Sequence, residues 1–283
     1  MHKHLLLCIL FFCFSSTVSA SQYPQRIVSL GPINTENVFL LGAGDRLVAN
    51  TNYCVRPEAA KTKIKIGSVM QFSIEKIIGM HPDLVLATGL TRPQQVKQLQ
   101  AAGIKVIHVS QPGSFEEICT QFLFLGELLG LEERAQQIIG KAKEQVATIQ
   151  KQVADFPKQK VFMQVGAQPL FASVASSFTN DFIVLAGGVN IAAKRERGTT
   201  NYEWVITENP DVIIIAIMGT ESGIAVSEKQ KWLNIPVITA TQHKQIFIID
   251  PDIACSPSPA TFASTLATIA TFIHPALATQ IQP

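Results

Sequence analysis

From Arg26 onward, short runs that are apolar on both faces alternate with segments that carry helix signals. The runs Ile27-Val28-Ser29-Leu30, Leu84-Val85-Leu86-Ala87 and Val106-Ile107-His108-Val109 have the length and β-branched content of buried strands. Between them, Asn34 precedes a helical pattern over Thr35–Leu41 that Gly42 ends, and Pro93 opens another that ends at Gly103. This alternation predicts βα units and a parallel sheet. The middle of the chain differs. Ser114-Phe115-Glu116-Glu117 has the form of a capping box whose helix runs to about Leu129, before Gly130. Glu132 to Asp155 then reads as one helix, roughly 35 Å long at 1.5 Å per residue and suited to connect two domains. After Pro157 the alternation resumes, with strands expected at Val161–Val165, Val212–Ala216, Val237–Ala240 and Ile246–Ile249.

The second half repeats the first. Glu75 through Pro82-Asp83 into Leu84–Ala87 matches Glu203 through Pro210-Asp211 into Val212–Ala216, with the same spacing from Glu to Asp in each copy. Val237-Ile238 reads as the counterpart of Val106-Ile107. The expected fold is therefore α/β: two Rossmann-like lobes with parallel sheets, joined by a single long helix. Its segments are a signal peptide at 1–20, an N-terminal lobe at 21–130, the connecting helix at 131–156 and a C-terminal lobe at 157–283.

The start of the chain sets the compartment. Lys3, flanked by His2 and His4, precedes an apolar run from Leu5 to Phe14, followed by small residues and Val18-Ser19-Ala20. The run is too short to span a bilayer, so it reads as a cleaved leader rather than an anchor, with the mature chain beginning at Ser21 in the periplasm. Cys13 follows the bulky Phe12, which does not fit a lipid-attachment box. Three cysteines remain, Cys54, Cys119 and Cys255, an odd count that rules out a full disulfide framework. Residues are 47% hydrophobic and 16% charged, with a formal net charge of +2. That composition supports two packed cores and, with no basic run interleaved with aromatics, excludes a nucleic-acid partner.

Catalytic patterns are missing. Gly42-Ala43-Gly44 lacks the third glycine of a dinucleotide fingerprint, and there is no phosphate loop, Gly-x-Ser-x-Gly elbow or His-Glu-x-x-His. His81, His108, His243 and His274 are far apart in sequence, so neither catalytic nor metal-ligating residues are assigned. Binding in a cleft between lobes is the expectation. The alternative of a different class, an exported enzyme on a double α/β scaffold, needs a converging acid, base or nucleophile that the sequence does not supply.

The chain resembles the periplasmic binding proteins for cobalamin and iron chelates, a class III two-lobed fold. The resemblance rests on Arg26 through Glu36, Tyr53-Cys54-x-x-Pro57, Ile74-Glu75 through Pro82-Asp83-Leu-Val85, Gly187-Gly188-x-Asn190, Tyr202-Glu203 and Asp252 through Pro259. It implies the substrate-binding component of an ABC importer: a monomer without a resident cofactor, whose partners are a membrane permease and its ATPase. The pattern is nearest to the cobalamin-binding members. By that resemblance Tyr53, Phe171, Asp252, Ile253, Ala254, Cys255 and Ser256 contact the ligand, and Cys54 and Cys255 border the cleft, where they are either ordinary thiols or thiolate ligands to the ligand's metal. A bond between those two would lock the lobes shut, so all three cysteines are expected to be free, with Cys119 buried in its helix. Two site tryptophans of those members fall on Val69 and Arg197, and Ser256-Pro257-Ser258-Pro259 replaces a common Arg-Pro-Gly-Pro. A corrinoid, haem or a ferric siderophore all fit this pattern, with Arg195 and Arg197 available to an acidic substituent. Ligand binding is expected to alter emission from Trp204 or Trp232. Glu75 and Glu203 are the implied permease-docking pair, although Thr200-Asn-Tyr-Glu203 also has the form of a capping box that would occupy Glu203.

Overall fold

A computed structural model describes residues 22–217 and 223–279. The leader, with Cys8 and Cys13, and the expected start at Ser21 lie outside the described residues. The first lobe runs β1 (Ile27–Ser29), α1 (Pro32–Leu40), β2 (Leu47–Asn50), β3 (Ile64–Lys65), α2 (Ile74–Gly79), β4 (Leu84–Thr88), α3 (Pro93–Ala101) and β5 (Lys105–Val109). Its five strands are all parallel, in the order β3-β2-β1-β4-β5. Two helices follow, α4 (Phe115–Leu129) and α5 (Glu132–Val153). The second lobe comprises β6 (Lys160–Ala167), β7 (Leu170–Ala172), α6 (Phe178–Leu185), β8 (Val189–Asn190), α7 (Tyr202–Glu208), β9 (Val212–Ile215), α8 (Ile224–Leu233), α9 (Thr239–Gln242), β10 (Ile246–Ile248), α10 (Pro251–Ala254) and α11 (Pro259–Ile273).

The second sheet has the order β10-β9-β6-β7, with β8 also on β6, and its β7 is antiparallel to β6. The sheet is therefore mixed rather than wholly parallel. Val237–Ala240 is not a strand. Pro236 has no N–H to give a ladder, and the segment turns through Ile238 N to Ile235 O and passes directly into α9, whose Thr241 N bonds back to Ile238 O. The counterpart of β5 is instead β10, which flanks β9 as β5 flanks β4. Nor does Asn34 cap α1. The helix begins earlier, at Pro32 after Gly31, and the Asn34 amide is spent donating to the carbonyls of Leu86 and Ala87.

The repeated Pro-Asp has a physical role. In the first lobe the Asp83 carboxylate accepts the N–H groups of Gln25 and Arg26 at 2.7 and 3.0 Å, and Asp83 N–H returns to Arg26 O. In the second, Asp211 accepts Lys160 N–H at 2.7 Å and returns its own N–H to Lys160 O. Each Asp thus fastens the start of its own strand to the start of the neighbouring one. The residue before each Pro, His81 or Asn209, has φ of 47° and turns the chain out of the preceding helix. Arg26 and Lys160 complete the match by donating to the carbonyls that end those helices, on Met80 and Glu208.

The long helix α5 lies between the lobes, and α4 and α11 widen the joint. Phe122, Leu125 and Leu129 of α4 belong to the first lobe's core, whereas Phe115, Ile118 and Cys119 enter the second's. Phe262 of α11 stacks on Phe115 at 4.5 Å and on Phe182 at 4.3 Å. At the start of α4 only half of the expected box forms. Ser114 Oγ accepts Glu117 N–H, but the Glu117 carboxylate takes the N–H of Gly113 instead of that of Ser114.

Candidate ligand cleft and docking face

In a parallel sheet the loops that leave the carboxyl ends of the strands form the binding edge. Here those edges meet. On the first lobe, α1 follows the end of β1 and α4 follows β5; on the second, α11 follows the end of β10. Glu36 of α1 receives a hydrogen bond from Thr261 of α11 at 3.5 Å, and Asp181 of α6 accepts Phe115 N–H at 2.8 Å. The carboxyl edges of both sheets therefore flank one seam, and loops from both lobes border it.

Tyr53 lies in the loop after β2 and is 50% exposed. Phe171 is 39% exposed on β7, where a Cβ at position 198 would run into its ring. Gly198 is what leaves room for that ring, and Ala172 N–H to Gly198 O with Thr200 N–H to Leu170 O bind the 198–200 segment beside β7. Arg197 is exposed in the same segment. Residues 252–256 form the short helix α10 and its exit rather than an open loop, begun by the Asp250 carboxylate accepting Asp252 N–H. Asp252 is exposed there, with Ile253, Cys255 and Ser256 half-buried.

Three of the named side chains are enclosed or already partnered. Ala254 is fully buried in the second lobe's core, packed there because α10 turns its apolar side inward, so its side chain is structural. Cys54 is also fully buried, with its thiol 3.2 Å from Thr51 Oγ1, and does not border the cleft. Arg195 is engaged: it donates to Thr199 O, and its guanidinium sits 4.5 Å over the Trp204 ring. Trp232 is enclosed, donating to Gln164 Oε1, which leaves Trp204 as the tryptophan nearer the surface. All three described cysteines are free thiols. Burial, with Asp252 and Asp250 acting in the same direction, pushes the Cys255 thiol up to about 12, so it is a neutral thiol at physiological pH.

Among the exposed apolar residues that escaped the sequence reading, three follow strands of the first lobe: Val55 beside Tyr53, Met70 in the turn after β3, and Leu90 after β4, the last 62% exposed. All follow strand ends on the first lobe, and that position was the available signal. Met70, rather than the half-buried Val69, is the exposed side chain of its turn. Among the described residues no group of three His, Cys, Asp or Glu converges as a metal site. A shallow depression of about 300 Å³ at the α4–α5–α6 junction, lined by Ser114, Phe115, Lys143 and Asp181 among others, shares no residue with the cleft assignments.

Glu75 and Glu203 occupy equivalent places. Each is the second residue of its helix, after a cap that accepts the third residue's N–H: Ser73 from Lys76 and Asn201 from Trp204. The cap of α7 is thus Asn201 and not Thr200, and the Glu203 carboxylate has no hydrogen-bond partner among the described residues; the capping-box reading does not hold. Among the described residues the Glu75 carboxylate accepts only a 3.3 Å hydrogen bond from Ser73 Oγ. Because α2 and α7 run back against the strands that follow them, their starts lie on the same carboxyl edges as the cleft. Both glutamates are exposed there.

Residues 27–253 match the family model described as "Periplasmic binding protein". An uncharacterized ABC transporter substrate-binding lipoprotein of Bacillus subtilis is 30% identical over 253 residues, which is 86% of this chain and 78% of the relative. A vitamin B12-binding protein of Yersinia pestis is 32% identical over 207 residues, covering 72% of this chain and 73% of its own. Among solved structures, the periplasmic vitamin B12 binding protein of Vibrio cholerae superposes with a TM-score of 0.75 at 25% identity, over 90% of this chain and 98% of that one. The matched span takes in both sheets, the connecting helix and the edges that flank the seam: the chain belongs to the periplasmic binding protein family, the substrate-binding components of ABC importers.

Proposed function

We propose that this protein captures a corrinoid of the cobalamin type between its lobes, in the periplasm, and delivers it without chemical change to a membrane permease. The observation that carries the reading is the set of exposed apolar side chains on the strand-end loops. Tyr53, Val55, Met70 and Leu90 on one lobe and Phe171 on the other are exposed; large apolar side chains such as Val226 and Val237 are exposed elsewhere too, and what sets these five apart is their place at strand ends. Several large apolar groups left exposed around one seam mark a binding surface. A broad, rigid, largely apolar macrocycle suits it, and the vitamin B12-binding relatives support a corrinoid. Arg197 and Asp252 supply polar contacts at the rim. The test is equilibrium titration of the mature protein with cyanocobalamin and, separately, haemin. Retention of the cyanocobalamin spectrum after desalting, lost in Tyr53→Ala with Phe171→Ala, supports the reading. Retention of haemin alone assigns an iron chelate instead, and turnover of a chelate would place the protein among enzymes.

The same reading takes the protein as a monomer released from a leader at Ser21. Intact mass of the exported form tests this, and a lipid adduct, as the name of the Bacillus relative invites, overturns it. Glu75 and Glu203 serve as a matched pair for arginines on a two-fold permease. Glu75→Ala with Glu203→Ala should leave ligand affinity and melting temperature nearly unchanged while uptake collapses; normal uptake by the folded double variant removes the docking role.

A further inference from the structure

The strand β3 is only two residues long, and its second residue does more than pair. Lys65 lies opposite Asn50 at the end of β2, where the Tyr53 loop departs. Its ammonium is 2.8 Å from Asn50 Oδ1, 3.0 Å from Cys54 O, 3.1 Å from Ala60 O and 3.3 Å from Thr51 O. No carboxylate among the described residues pairs with it. Four neutral oxygens thus surround one cation, as they would a bound metal ion. An ammonium has three N–H groups, so the four acceptors share them.

Those oxygens come from both ends and the middle of the 51–60 loop. Thr51 to Cys54 is a turn closed by Cys54 N–H to Thr51 O at 3.1 Å, and Tyr53 is its third residue. The Cys54 side chain is anchored in the core, while the Tyr53 ring stands in solvent. Asn50 Nδ2 ties the far end by donating to Ala60 O at 3.0 Å. Carbonyl dipoles that converge on one point repel each other unless a cation sits there. Removing the ammonium therefore loosens the turn that aims the ring.

We propose that Lys65 is the positioning residue of the Tyr53 turn, its ammonium filling a carbonyl cage that presets the aromatic ring for the ligand. The proposal rests on the assignment of Tyr53 to the ligand site. A preset turn does not have to be ordered when ligand arrives, so the benefit appears in affinity. Burial lowers the ammonium's pKa, and the neighbouring Cys54 side chain acts in the opposite direction.

Two measurements test it on the full mature chain, comparing wild type with Lys65→Met and with the milder Lys65→Gln, which keeps two donors. The first is amide exchange without ligand. Exchange should quicken by about tenfold in peptides covering 51–60 and stay unchanged in those covering β4; unchanged exchange over 51–60 in either folded variant overturns the proposal. The second is affinity for cyanocobalamin. Lys65→Met should weaken binding by about tenfold, with Lys65→Gln between it and wild type, and should add nothing to Tyr53→Ala. Full additivity with Tyr53→Ala would show that Lys65 acts elsewhere. If wild type binds no cyanocobalamin, the corrinoid reading fails, and amide exchange still decides whether Lys65 holds the turn.

Discussion

The two copies of the helix, Pro-Asp and strand unit share a frame but not a filling. Both have a polar cap, a glutamate at the second helical residue, a left-handed residue before Pro, and an Asp that fastens two strands. Their contents differ at matched positions. Where the first lobe has Leu30 and Ile74, packed among aliphatic residues, the second has Gln164 and Tyr202. These meet Glu228 of α8, which is only 2% exposed and receives hydrogen bonds from Gln164, Tyr202 and Lys231. Trp232 joins through Gln164. The backbone staples withstood divergence because they fix strand register; the core beneath could be rebuilt in another chemistry. At these matched positions the first lobe is held by shape and the second by shape and a buried polar network.

The largest effect should come from where the lobes join. Phe262→Ala removes a ring stacked on one side by a residue of α4 and on the other by one of α6, and should cost about 4 kcal/mol in chemical denaturation. A cost below about 1 kcal/mol would mean that the two lobes are less dependent on each other than the stack implies.

The polar network should come next. Glu228→Leu leaves Tyr202 and Gln164 without their shared acceptor and should cost about 3 kcal/mol, against about 1 kcal/mol for Leu30→Ile at the matched apolar place. Burial pushes the Glu228 carboxyl up, but its hydrogen bonds from Lys231, Tyr202 and Gln164 prevail and leave it below the ordinary range. Its folded pKa being lower than its unfolded one, its contribution is complete above about pH 4.5 and fades as pH falls through the folded value. Asp181 has the opposite sign: burial, only partly offset by the Phe115 N–H, raises its carboxyl, so stability falls as pH rises through that raised value. Melting curves across the acid range should therefore lose one acid-sensitive component in Glu228→Gln and gain relative stability near neutrality in Asp181→Asn, provided the neutral amide still accepts the Phe115 N–H.

The staples offer a direct comparison. Asp83→Ala removes two accepted N–H bonds and Asp211→Ala one, so their costs should be about 2 and about 1 kcal/mol respectively, the exposed setting keeping both modest. Equal costs would show that the returning backbone bond, and not the carboxylate, holds the register. The smallest effects belong to the caps: Ser73→Ala and Asn201→Ala should each cost about 1 kcal/mol, measured in the same way.

Much of the frame was legible because it is written in local chemistry. Largely buried strands such as β1, β4 and β9, Gly130 after α4 and the uninterrupted run of α5 each act within a few residues, whereas β5, also expected to be buried, is a partly exposed strand at the edge of its sheet. The errors arose where tertiary context decided. Val237-Ile238 is apolar enough for a strand, yet Pro236 and a local turn remove it from the sheet. Thr200 and Asn201 are both competent caps, and only the path of residues 198–200 beside β7 selects the second. Ala254 looked like part of a loop until α10 turned it inward. The cleft was legible less completely, since exposure is not encoded in residue type: Met70 and Leu90 would pass for core residues, and Lys65 for an ordinary surface lysine.

Phe262 and its two neighbours also constrain how this molecule can move. A ring held between α4 and α6 cannot follow one lobe away from the other without opening a void between close-packed aromatic faces. Wide hinge opening of the kind seen in receptors linked by thin flexible strands is therefore costly here. Small rocking of the lobes is the motion this joint leaves inexpensive, and heating should disrupt both halves in one calorimetric transition.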